Sequence, residues 1–105
     1  MSQALPEKIE EFRSQHPEVW DAFAALAGAC HEQGGPLEER ARRLVKLGLA
    51  VGAQHEGAVH SAARHAREAG CTPEELRHVA ILAITTLGWP AAYAALRWIG
   101  DADRP

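Results

Sequence analysis

Cysteine is scarce in this chain: Cys30 and Cys71 are the only two among 105 residues, and their separation matches no metal-ligand spacing and no disulfide framework. Both read as free thiols. A long hydrophobic run is also missing. The apolar stretches span a few residues each, whereas a helix that crosses a bilayer needs roughly 20, and Glu7, Glu10 and Glu11 stand where a signal peptide carries basic residues. The expectation is a soluble, cytoplasmic protein with no membrane partner. Basic charge is not in excess either: 11 Lys and Arg against 14 Asp and Glu give a formal charge of -3. That leaves no electrostatic footprint for a polyanion, so nucleic acid is not an expected partner. Length excludes a two-domain enzyme, and one compact domain over residues 1–105 is expected.

Alternating Val-Ile-Thr patterns are absent too, so no strand is predicted. Ala, Leu, Glu and Arg dominate, and Gly or Pro punctuates at helical lengths, which gives an all-α fold of about six helices. Pro6 opens a short acidic helix to about Arg13, and His16-Pro17 interrupts it. A second helix from Pro17 is predicted to bury Val19, Trp20, Phe23, Ala24, Leu26 and Ala27 and to stop near Gly34-Gly35. Pro36 begins a third helix running to about Ala53, and a fourth spans about His55 to Ala69 and ends at Gly70. Thr72-Pro73-Glu74-Glu75 combines an N-cap, a Pro at the first helical position and a capping-box Glu, the strongest helix start in the chain. The fifth helix runs to about Leu87, Gly88-Trp89-Pro90 breaks it, and a sixth covers Ala91 to about Ile99. The tail from Asp101 to Pro105 is expected to fray.

The fifth helix also bears on assembly. Val79, Ala80, Ile81, Leu82, Ala83, Ile84 and Leu87 cover nearly its whole circumference, and a helix apolar all round has to be buried all round. The second half of the third helix has the same character, with Gly48 and Gly52 permitting close approach of a neighbour. A homo-oligomer that covers these faces is the expectation, with a well-filled monomeric bundle as the alternative.

Six histidines are many for this length. His55, His60 and His65 share the fourth helix, but at about 100° per residue a spacing of five sets successive rings about 140° apart, so they do not chelate together. Glu56 and His60, at i and i+4, do share a face. A carboxylate beside an imidazole fixes its tautomer, which suits proton transfer, and the same two side chains are the ligands if a metal ion binds. No cofactor is otherwise expected. The competing reading is a solvated Glu56-His60-Arg64 stripe. His16 and His31 read as turn and helix-end residues, His78 as exposed or interfacial, and Arg40, Arg42 and Arg43 as a solvated face balanced by Glu38 and Glu39. Trp20 and Trp98 read as core or interface anchors. Trp89, held between Gly88 and Pro90, and Tyr93 are candidates to line a pocket, together with His55.

Four stretches carry a resemblance: Leu44-Val45-Lys46-Leu47-Gly48, Glu56-Gly57-Ala58-Val59-His60-Ser61, Ala69-Gly70-Cys71-Thr72-Pro73-Glu74-Glu75-Leu76, and Thr85-Thr86-Leu87-Gly88-Trp89-Pro90-Ala91-Ala92. In this order they resemble the carboxymuconolactone decarboxylase family, which includes the alkylhydroperoxidase D proteins. The core match spans about residues 42–99, and residues 1–35 supply N-terminal helices. The resemblance implies a bundle built around a helical hairpin and assembled as trimers or hexamers. It also implies, for the redox members, a Cys-x-x-Cys-x-x-x-His motif with an upstream Glu, which runs peroxidase chemistry through a disulfide. Counted back from Gly70, those positions hold His55, Ala58 and Ala62, with Arg43 at the Glu position. The decarboxylase branch also keeps the His that is Ala62 here, and His60 points about 160° away from that position. Two functions follow: a divergent enzyme that uses Glu56 and His60 on a small molecule, or a non-catalytic oligomeric binding or structural module on the same scaffold.

Overall fold

The helix-rich composition and its Gly and Pro punctuation determine the architecture. The computed structural model describes residues 6–101, and among them every regular element is helical, as expected. The helices are α1 (Glu7–Gln15), α2 (Pro17–Gly28), α3 (Glu39–Ala53), α4 (Glu56–Glu68), α5 (Pro73–Leu87) and α6 (Trp89–Asp101). A π-helical turn, Ala29–Gln33, extends α2 to the expected stop at Gly34. None of the described helices is long and apolar enough to cross a membrane. The chain divides into two compact units, residues 1–36 and 37–105.

In the first unit His16 closes α1, its backbone N–H donating to the Phe12 carbonyl at 2.8 Å. Preceding Pro17, it lies outside the helical region at φ -133° and ψ 63°. The apolar stripe of α2 has the predicted spacing but is not buried: Val19, Phe23 and Leu26 are 53%, 60% and 62% exposed. Periodicity marks a face without naming what covers it, and a unit of two helices has no further layer to do so.

In the second unit α3 begins at Glu39 rather than at Pro36. Glu38 is extended and accepts the first helical hydrogen bond from the Arg42 N–H at 2.9 Å, while the Arg42 side chain donates to the Leu37 carbonyl. Helix α3 ends on Gln54 in the left-handed region, φ 54°. His55 then caps α4, its Nδ1 accepting from the Ala58 N–H at 3.1 Å. The two helices thus form a hairpin with a two-residue connection. Gly70, at φ +94°, turns the chain after α4. The predicted capping box opens α5: Thr72 Oγ1 accepts from the Glu75 N–H at 3.1 Å and Glu75 Oε1 accepts from the Thr72 N–H at 2.8 Å. At φ 100° Gly88 alone separates α5 from α6, so Trp89 and Pro90 belong to the sixth helix rather than to the break. Asp101 is likewise helical rather than frayed, and residues 102–105, also expected to fray, lie outside the described residues.

Helix α3 packs on α4 and α5, and α6 packs on the same two helices, chiefly α5. Seven of the 13 buried residues in the core are alanine. The largest fully buried side chains are Leu47, Val59, Leu76 and Ile99. Trp98 packs against this core from partly buried surroundings.

Candidate functional site

Glu56 lies in the first turn of α4 and His60 one turn later, so their side chains meet: Glu56 Oε2 is 3.8 Å from His60 Nε2. A third residue joins them. Asp101, at the last position of α6, brings Oδ2 to 3.1 Å from the same nitrogen. One donor atom from each of the three lies within 4.8 Å of the others. The shorter distance is a hydrogen bond and the longer an ion-pair separation. The cluster is open to solvent, with His60, Asp101 and Glu56 side chains 35%, 40% and 58% exposed. The N-terminal end of the α4 dipole favours the Glu56 carboxylate. Asp101 is the member of this cluster that the sequence does not reveal. It stands 41 positions from His60, and only the packing of α6 on α4 joins them.

The other candidates lie elsewhere. His55 serves as the cap of α4, and Trp89 and Tyr93 are 59% and 57% exposed on α6. None of them borders an apolar groove of about 520 Å³ between α3 and α5. Leu44, Val45, Gly48, Val79, Leu82 and Leu87 line it, with Glu75, His78 and Thr86 as its polar members. The signals for this groove are in the sequence, in Gly48 and Gly52 and in the all-round apolar α5.

The arginines of α3 hold acidic and backbone partners. Arg40 donates to Glu75 Oε1 at 2.5 Å, and Arg43 lies 3.9 Å from Glu39. The Thr72 N–H and then the Arg40 charge hold the Glu75 carboxyl below its ordinary range, while Glu75 holds the Arg40 proton more firmly. Loss of water around His65, and next the nearby Arg43 charge, lower its pKa. Cys71 is buried, with its Sγ 3.8 Å from the Arg40 carbonyl, and Cys30 is exposed; both are free thiols.

With this geometry in place, comparison with known proteins decides the family. The sequence matches the carboxymuconolactone decarboxylase family over residues 17–101. The chain belongs to that family. The fold agrees with the crystal structure, in its apo form, of a carboxymuconolactone decarboxylase family protein from Legionella pneumophila. That protein is 26% identical, with a TM-score of 0.76 over 92% of this chain and 88% of the other. No curated protein matches the sequence. Within this carboxymuconolactone decarboxylase family chain, Ala58 and Ala62, the positions that the resemblance assigns to redox chemistry, pack against the core.

Proposed function

We propose that this carboxymuconolactone decarboxylase family protein acts on a small molecule without thiol chemistry, through Glu56, His60 and Asp101. The observation that carries the reading is the 3.1 Å contact between His60 Nε2 and Asp101 Oδ2, with Glu56 on the same side. When the Nε2 proton is directed at Asp101, Nδ1 is the nitrogen that takes a proton from a bound molecule. Glu56 lies on the same side, its Oε2 3.8 Å from Nε2. The thiols do not supply an alternative: Cys71 is buried in the second unit, and Cys30 belongs to the first.

Self-association as a trimer or hexamer is part of the proposal. Val45, Leu49, Ile81 and Leu82 are 50–67% exposed on α3 and α5, and a second copy of the chain is the partner that covers them. Light scattering then gives a multiple of 11.4 kDa at micromolar concentration. A second reading, a non-catalytic module on the same scaffold, is favoured by one observation, the exposure of the cluster.

The test is a screen of small lactones, carboxylic acids and alkyl hydroperoxides, by turnover and ligand-observed NMR. It uses the parent, His60→Gln and the Cys30→Ser/Cys71→Ser double variant. The expected result is a ligand or substrate lost with His60 and retained without the thiols. Hydroperoxide turnover that disappears with the cysteines overturns the reading.

A further inference from the structure

We propose that Glu56 Oε2, His60 Nε2 and Asp101 Oδ2 coordinate a divalent first-row transition-metal ion of the zinc class. The inference rests on the reading that this cluster is the working site, and it assigns to a metal ion the position at Nε2 that a proton otherwise holds.

Geometry is the first support. Ligand atoms about 2.0–2.2 Å from a tetrahedral ion stand roughly 3.4 Å from one another. The two separations at His60, 3.1 Å and 3.8 Å, bracket that value, and the three donor atoms already lie within 4.8 Å of one another. Glu56 and His60 come from successive turns of one helix, which sets their mutual distance without a loop, and the end of α6 delivers the third donor. Glu56, the most exposed of the three, closes the remaining gap by rotating its own side chain.

Charge is the second support. Two carboxylates face one imidazole nitrogen, and a single N–H serves one of them at a time. A divalent cation accepts both carboxylates and the imidazole nitrogen at once.

Donor type selects the ion. One imidazole and two carboxylates, with no thiolate, suit zinc, manganese or iron, whereas magnesium and calcium prefer oxygen donors throughout. Three protein ligands leave a position open to water or to an oxygen atom of a bound molecule, which the ion polarises. The chemical class of ligand follows: a small molecule that presents a carboxylate or carbonyl oxygen.

Calorimetry with zinc sulfate on the untagged, chelator-treated full chain tests the site, with magnesium sulfate as the control titrant. The variants are Glu56→Gln, His60→Gln and Asp101→Asn, with His78→Gln as a histidine control in the α3–α5 groove. The expected result is one zinc per chain, negligible magnesium binding, a loss of zinc affinity of at least about tenfold in each of the three variants, and no change in His78→Gln. Circular dichroism confirms that each variant remains helical. For any variant that does not fold, the displacement of the His60 ring signals on adding zinc to the parent protein provides the readout. Absence of zinc binding by the parent, or binding that survives Asp101→Asn and His60→Gln, overturns the metal site. If zinc does not bind while ligand capture by the chelated protein still depends on His60, the metal inference fails and the functional reading stands. If zinc binds as described while ligand capture is indifferent to His60, the site is upheld and the functional reading fails.

Discussion

Leu47→Ala is the most direct probe of how the second unit is held together. Leu47 is fully buried on α3, in a core where most residues contribute only a methyl group. Removing its side chain forfeits the transfer term of about 1.5–3 kcal/mol for a buried Leu and adds a cavity term, for a total of about 2–5 kcal/mol. Seven of the 13 buried core residues are alanine, with no longer side chain to swing into the space, which favours the upper half. A domain carries roughly 0.05–0.15 kcal/mol of stability per residue, so one substitution removes much of what the unit has. Urea unfolding followed by circular dichroism measures it. With a slope of about 1–3 kcal/mol per molar, the midpoint falls by about 1 M or more. Ala63→Leu is the converse: Ala63 is also fully buried, and a larger side chain between close helices costs about 1–3 kcal/mol. A loss below about 1 kcal/mol for Leu47→Ala, or a gain for Ala63→Leu, refutes the account of an alanine-spaced core with no slack.

Two further outcomes follow from the same unit. Thr72→Ala removes the acceptor of the Glu75 N–H and costs about 0.5–2 kcal/mol in the same urea assay; a neutral result means that the capping box does not support α5. Acid should weaken the fold in two stages, because His65 and Glu75 both have lowered pKa values in the folded state. For each group the unfolded chain takes up protons first, so its stabilising contribution is present above the unfolded pKa and is lost as pH falls through the folded one. The His65 stage begins below its ordinary 6.5, and the Glu75 stage below its ordinary 4.5. Thermal melts against pH should show both, and His65→Gln should abolish the first alone; a first stage that persists in that variant refutes the assignment.

Local chemistry made much of the fold legible. Thr72-Pro73 with Glu75 and the glycines at 70 and 88 fix the ends of α4, α5 and α6 through hydrogen bonds and backbone angles contained within a few residues. The start of α3 was less so, because Pro36 suits a first helical turn, yet the chain stays extended until Glu38 accepts the Arg42 N–H. The stripe on α2 was visible but its exposure was not, since periodicity carries no information about a partner. At the candidate site, helical spacing was enough to pair Glu56 with His60. Asp101 was out of reach of any such rule, because its approach depends on how two helices distant in sequence pack.

The alanines of the second unit have a mechanical consequence. Ala80 and Ala83 on α5, and Ala92 and Ala95 on α6, are buried in the core, and a methyl group has no rotamers to exchange. Many proteins adapt to a ligand or a neighbour by reshuffling interior side chains. Here the buried alanines offer no such route, and only the few larger interior side chains, such as Leu47, Leu76 and Ile99, keep it. Most of the compliance then resides on the outside, in long side chains such as Leu49, Ile81 and Leu82, so the surface of this unit does more of the fitting than its interior.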